Sequence, residues 1–148
     1  MDTLNTFEFL ALGGIVATLI ALAHILIQGP KIGNVAVAAA LSAMFFSFSV
    51  VTIWADGILP VWTNHTTNLW GVQVWWDLLF AVGIALFLIA PRAKAVGMNM
   101  PLWVLLIAST ASIALLAMCA RLFWLERAAE EAKAAKPDPG AAKPAAKA

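Results

Sequence analysis

The chain has 148 residues, of which 63% are hydrophobic and 11% are charged, and its mean hydropathy is +0.90. Soluble domains are about 45–50% apolar and about 25% charged, so this composition excludes a soluble single domain. The formal net charge of +1 argues against nucleic acid as a partner. Cys119 is the single cysteine, which excludes an intramolecular disulfide and a cysteine-based zinc or iron–sulfur site, and we expect no metal and no cofactor.

Four apolar stretches each approach the ~20 residues that a helix needs to cross a bilayer. They cover residues 9–27, 35–54, 70–90 and 101–124. Glycine and proline within residues 28–31, and a basic turn after Pro91, indicate short connections inside each pair of stretches. The sequence therefore predicts an all-α polytopic membrane protein with four transmembrane helices in two antiparallel hairpins.

The remaining segments are more polar. Residues 55–69 form the longest connection and predict a polar loop on the membrane surface. After Trp124, opposite charges at helical spacing predict that the last helix continues into water, so that the transmembrane domain covers residues 1–135. Residues 136–148 are rich in alanine, proline and lysine, have nothing to bury, and predict a disordered tail.

Tryptophans concentrate on one side of a four-span arrangement, the side that holds both chain ends and the 55–69 loop. Trp103 falls on the opposite side, and the others are Trp54, Trp62, Trp70, Trp75, Trp76 and Trp124. One interpretation is an interfacial belt, because the indole ring prefers the headgroup level. The other is a shallow aromatic pocket for an apolar or cyclic ligand, built from Trp62, His65, Trp70, Trp75 and Trp76.

Asp77 lies within the third predicted span, ~10 Å from Trp70 at 1.5 Å per residue. A carboxylate at that depth costs several kcal/mol unless it pairs, is protonated or meets water. Two interpretations stay open: a proton- or cation-coupling carboxylate, and a structural anchor satisfied by Arg121 and nearby hydroxyls. Asp77 and Arg121 are therefore the candidate ion or proton residues.

Small residues at four-residue spacing predict close helix packing, either within the bundle or in a homo-oligomer. They are Gly13, Ala17 and Ala21 in the first span and Ala39, Ala43 and Ser47 in the second.

Basic residues near the membrane give nearly balanced indications of orientation. Lys31, Arg92 and Lys94 lie in the two short connections, whereas Arg121, Arg127, Lys133 and Lys136 follow the last span. The greater number in the second group favours both chain ends in the cytoplasm.

Four segments together resemble small bacterial inner-membrane proteins of unknown function. They are residues 72–80, residues 91–98, Trp103 and residues 121–127. The shared pattern is an aspartate opening a spanning helix, a basic turn ending in Gly-Met, a tryptophan soon after it and a closing helix ending in arginine. The resemblance covers the third and fourth spans and implies the bacterial inner membrane. It carries over Asp77 and the basic turn without an established role for either.

The sequence offers no nucleophile–base pair, metal cluster or phosphate-binding loop, so we expect a protein without a catalytic site of its own. The leading hypothesis is an accessory or interaction subunit whose Trp-rich side meets membrane lipids or a protein partner. One alternative is a small proton- or cation-coupled transporter or channel that uses Asp77. A third class is a lipid- or isoprenoid-modifying membrane enzyme that would use Asp56, His65 and Asp77.

Overall fold

The computed structural model describes residues 5–27 and 33–135, and this part of the chain contains helices and no strands. The helices are α1 (Thr6–Ile27), α2 (Val35–Asp56), α3 (Pro60–Thr66), α4 (Leu69–Ala95), α5 (Met100–Thr110) and α6 (Ser112–Ala134). The described residues thus confirm the predicted all-α class. Helices α1, α2 and α4 are long and apolar enough to cross a membrane. The predicted tail at 136–148 and the predicted connection at 28–31 lie outside the described residues.

The chain divides into two compact units, of which the first ends at Ile32 and the second begins at Gly33. The first unit contains α1, which opens with a capping box. The amide of Asn5 donates to the Glu8 carboxylate at 2.8 Å, and the amide of Glu8 donates to Asn5 Oδ1 at 2.9 Å. This reciprocal pair fixes the start of α1 and accounts for Glu8 just before the apolar run.

In the second unit, polar caps and glycine define where α2 begins and ends. The side chain of Asn34 accepts hydrogen bonds from the amides of Ala36 and Val37 at 2.9 and 3.2 Å. At the other end, Gly57 has φ +79°, a conformation that glycine adopts without a Cβ penalty. The observed helix therefore matches the predicted second span to within two residues at its end.

Helix α4 runs past Pro91, where the sequence predicted its end, and that prediction is wrong. The helix continues to Ala95 and places Arg92 and Lys94 in its last turn, where cations interact favourably with the helix dipole. Gly97, with φ +75°, ends it instead. The Met98 amide donates to the Ala93 carbonyl at 3.0 Å in a Schellman arrangement.

The predicted fourth span, residues 101–124, is wrong as a single helix. Ala111 has φ 47° and ψ −116° and separates α5 from α6. In one continuous helix, Glu126 would lie about 39 Å from Met100 at 1.5 Å per residue. Instead, the Glu126 carboxylate lies 2.6 Å from the guanidinium of Arg92, eight positions before Met100 in the sequence. The chain therefore reverses at Ala111, and α5 and α6 form an antiparallel hairpin.

The core of the second unit explains this reversal. Its buried members are Ala93 near the end of α4, Met98 just after that helix, Ile107 in α5, and Ala114, Met118 and Leu122 in α6. Met118 and Leu122 are fully buried, and close packing gives each of them many van der Waals contacts. The hairpin gives both residues apolar neighbours from α4 and α5, which a straight helix leaving Met100 would forgo.

The reversal gives the second unit two chemically different ends. The end formed by the start of α2, the end of α4, the start of α5 and residues 121–127 of α6 is called the basic end here. The opposite end, formed by the end of α2, by α3 and by the start of α4, is called the Trp-rich end. Arg121 and Trp124 lie at the basic end, which corrects the prediction that placed them on the side of the 55–69 loop.

Candidate functional site

At the Trp-rich end, the predicted polar loop 55–69 contains the short helix α3. Pro60 occupies its first turn, where its missing amide hydrogen costs nothing. The hydroxyl of Thr66 donates to the Trp62 carbonyl at 2.9 Å, one of several side-chain bonds that hold the segment to its own backbone. The loop prediction is wrong for Pro60–Thr66, where the segment is helical and the hydroxyls of Thr63 and Thr66 donate to carbonyls one turn back.

Helix α3 folds back against the first two turns of α4. A Cβ at Gly71 would lie 2.5 Å from the carbonyl oxygen of Asn64, so only glycine permits this close approach. The rings of Trp62 and Trp75 meet edge to face with centroids 6.5 Å apart, and the rings of His65 and Trp75 lie 5.2 Å apart. The two helices thus form a helical hairpin with an aromatic contact surface.

The structure brings together three of the five residues predicted to form the aromatic pocket. Trp75 contacts both Trp62 and His65, whereas Trp70 is 75% exposed. Trp76 packs instead on Phe80, with ring centroids 5.8 Å apart. The result is an exposed aromatic surface in which ring edges fill the space between Trp62 and Trp75.

One ring nitrogen of His65 is hydrogen-bonded to the backbone of its own helix, α3. Its Nδ1 lies 2.6 Å from the carbonyl oxygen of Val61, which requires the proton on Nδ1 for a hydrogen bond. That bond leaves Nε2 as the nitrogen able to accept a hydrogen bond from a partner.

Asp77 and Arg121 do not pair. Asp77 is exposed on α4, and the Arg121 guanidinium lies 4.5 Å from the centre of the Trp124 ring. Relative to the Arg92–Glu126 pair, Asp77 lies about 22 Å back along α4 and Arg121 about 7 Å back along α6 at 1.5 Å per residue. Their helices therefore hold the two residues at different depths, and the structural anchor made by Arg121 is not formed.

A second polar cluster, at the basic end, was not anticipated from the sequence. Two nitrogens of Arg92 donate to both carboxylate oxygens of Glu126, at 2.8 and 2.6 Å, and the guanidinium lies 5.7 Å from the Phe123 ring centre. Arg127 donates to the carbonyl of Gly33 at 3.2 Å. These contacts join α2, α4 and α6. A four-span arrangement places Arg92 and Glu126 on opposite sides of the membrane, so the pairing could be found only once the reversal was known.

The small residues of α2 lie beside α6. An open groove of about 410 Å³ runs between the two helices, and its lining consists of Ala39, Ser42, Ala43, Phe46, Ile113, Ala117 and Ala120. The hydroxyl of Ser42 donates to the carbonyl of Ile113 at 3.0 Å. The predicted Ala39 and Ala43 stripe thus borders a packing contact within the chain.

Among residues 5–27 and 33–135, no three histidine, cysteine, aspartate or glutamate side chains gather as a metal site would require. Asp56, His65 and Asp77 are accordingly not assembled as one such group. Comparisons of the chain with protein-family models, with curated proteins and with solved structures find no match.

Proposed function

We propose that this chain is an integral membrane protein that acts as a non-catalytic accessory subunit, and that the Trp-rich end is its contact surface for a protein partner. The observation that carries the proposal is the exposure of Trp62, Trp70 and Trp76, at 61%, 75% and 58%. Tryptophan contributes disproportionately to binding energy at protein interfaces. The α3–α4 hairpin holds these rings on a rigid scaffold, so little conformational entropy is lost when a partner binds.

We propose that α1, α2 and α4 cross the membrane. Helices α5 and α6 then form a re-entrant hairpin, which enters the membrane and returns to the same side. Helix α5 has 11 residues and spans about 16 Å, roughly half of a ~30 Å apolar layer. The hydroxyls of Ser109 and Thr110 both donate to the Leu106 carbonyl, and the Ala111 amide donates to the Ile107 carbonyl at 2.7 Å. These bonds give the two hydroxyls and the Ala111 amide partners within the chain, as polar groups at a hairpin tip inside a membrane require.

The distribution of cations supports a cytoplasmic basic end. In the described part of the second unit, every lysine and arginine lies at or beyond that end: Arg92, Lys94, Arg121, Arg127 and Lys133. The Trp-rich end carries Asp56 and Asp77 instead. Because basic residues are retained in the cytoplasm, this asymmetry replaces the nearly balanced counts of the four-span prediction. The resemblance to bacterial inner-membrane proteins supports that membrane as the location.

Spin labels test the re-entrant hairpin directly. With Cys119 replaced by serine, labels are attached at Leu102 and Ala128, both exposed. In a returning hairpin Leu102 lies 9 residues before Ala111 and Ala128 lies 17 residues after it, so the two sites are offset by about 12 Å along the helix axes. With an interaxial distance of about 8–10 Å, their separation is about 15 Å before the label linkers are added. In one straight helix they are about 39 Å apart. A distance distribution centred near the longer value would overturn the placement.

Native mass spectrometry of the protein, extracted from its own membrane in a mild detergent, tests the subunit role. We expect a defined heteromeric mass, and we expect Trp62→Ala and Trp76→Ala each to lower the yield of that complex. Phe87→Ala is the matched control, because Phe87 is 78% exposed on α4 but lies far from the Trp-rich end. A monomer or dimer with no second protein would refute the proposal, as would equal complex yields for all three variants.

A second candidate function, a small proton- or cation-coupled transporter, is favoured by Asp77. This carboxylate is exposed on a helix able to cross a membrane, and it has no ion pair within the described residues. In proteoliposomes, Asp77→Asn should abolish pH-dependent flux and leave the protein folded. Asp56→Asn, at the end of α2, should leave flux unchanged. If the wild-type protein shows no flux, this candidate is eliminated and the subunit role is unaffected.

A further inference from the structure

Cations at the basic end differ in what they already bind. Arg92 is neutralised by both carboxylate oxygens of Glu126, and Arg127 donates to the Gly33 carbonyl. Arg121 has no carboxylate within 4.0 Å in the described part of the chain; its guanidinium lies over the Trp124 ring. Lys94, exposed in the last turn of α4, also lacks an ion pair in this part of the chain. Arg121 differs from it because its unpaired guanidinium is stacked on an aromatic ring.

The side chain of Arg121 also extends toward the basic end. It lies five residues before Glu126, about 7 Å deeper along α6 at 1.5 Å per residue. Its side chain reaches toward Trp124, nearer the basic end, as long cationic side chains do when they move their charge to the interface. Trp124 is half exposed, and an indole ring in that location marks the headgroup level. In the proposed membrane placement the guanidinium therefore lies at the level of the lipid phosphates.

We propose that Arg121 and Trp124 form a binding site for the phosphate of an anionic phospholipid in the leaflet that meets the basic end. A guanidinium stacked on an aromatic face keeps its N–H edge free, and that edge matches two phosphate oxygens in a bidentate arrangement. The basic end carries four cations and one carboxylate, so an anionic headgroup is preferred over a zwitterionic one. The cations are Arg92, Lys94, Arg121 and Arg127, and the carboxylate is that of Glu126. Glu130 and Glu131 lie at least one helical turn farther out on α6.

This inference rests on the proposed membrane placement, which the spin-label distance tests separately. The measurement here is native mass spectrometry of the purified full chain with equal amounts of added phosphatidylglycerol and phosphatidylcholine. We expect preferential retention of phosphatidylglycerol and a loss of about fivefold in that binding for Arg121→Gln, the effect of one cation at an anionic surface. Arg121→Lys should retain an intermediate amount, because it keeps the charge without the bidentate geometry.

Lys133→Gln is the matched control, because Lys133 is an exposed cation on the same helix about 18 Å beyond Arg121 at 1.5 Å per residue. It should change retention less than twofold. Equal retention of the two lipids by the wild type would overturn the proposal, and so would equal losses for Arg121→Gln and Lys133→Gln. If Arg121→Gln fails to fold, Trp124→Leu keeps the charge and removes the ring; unchanged retention by that variant would exclude the paired site.

Discussion

Replacing Ala111 with glycine should stabilise the protein, which is the opposite of what glycine does in a helix. The φ of 47° and ψ of −116° at Ala111 lie near those of the first central residue of a type II′ turn, a position that favours glycine. A non-glycine residue with positive φ costs about 1–2 kcal/mol. Glycine relieves that strain but adds about 0.5–1 kcal/mol of unfolded-state entropy. The expected net gain in the free energy of unfolding is about 0.5–1 kcal/mol.

Ala108→Gly is the matched control, because Ala108 is exposed in the last turn of α5, three residues before the reversal, and its replacement tests helix propensity in the same neighbourhood. It should lower the free energy of unfolding by about 1 kcal/mol. Both variants are unfolded with SDS in mixed micelles, and helical circular dichroism follows the transition. The reversal predicts shifts of opposite sign, with about 1.5–2 kcal/mol between the variants. If Ala111→Gly destabilises the protein as much as Ala108→Gly does, the chain does not reverse at this residue.

Two further substitutions test the contacts that hold the second unit together. Glu126→Gln should lower the free energy of unfolding by up to about 1 kcal/mol, since the bidentate partner Arg92 is half exposed, whereas Glu130→Gln in the same assay should stay within about 0.5 kcal/mol of wild type. Gly71→Ala should cost about 1–3 kcal/mol and should shift the tryptophan emission, because its Cβ would strike the backbone of α3. Gly83→Ala meets no atom within 4 Å and should be neutral or stabilising; equal losses for the two glycines would contradict the close approach.

Local sequence determines much of this protein. The long apolar runs predict α1, α2 and α4. An α-helix pairs its backbone N–H and C=O groups within the segment, so an apolar run of that length can cross an apolar layer. Pro101 correctly marks the start of a helix, and the charged residues after Trp124 correctly predict that α6 continues to Ala134. Short-range signals succeed in these places because the partner groups lie within a few residues of one another.

Tertiary structure alone decides the reversal at Ala111, and with it the two ends of the second unit. The segment Thr110, Ala111 and Ser112 contains neither glycine nor proline, so local propensity favours a straight helix there. Burial of Met118 and Leu122 against Ala93, together with the Arg92–Glu126 pair, involves residues far apart in the chain. Their gain outweighs the strain of one positive φ. The same packing moves Arg121 and Trp124 away from the Trp-rich end and leaves Asp77 without Arg121, because a helix that turns back carries every later residue to the opposite end.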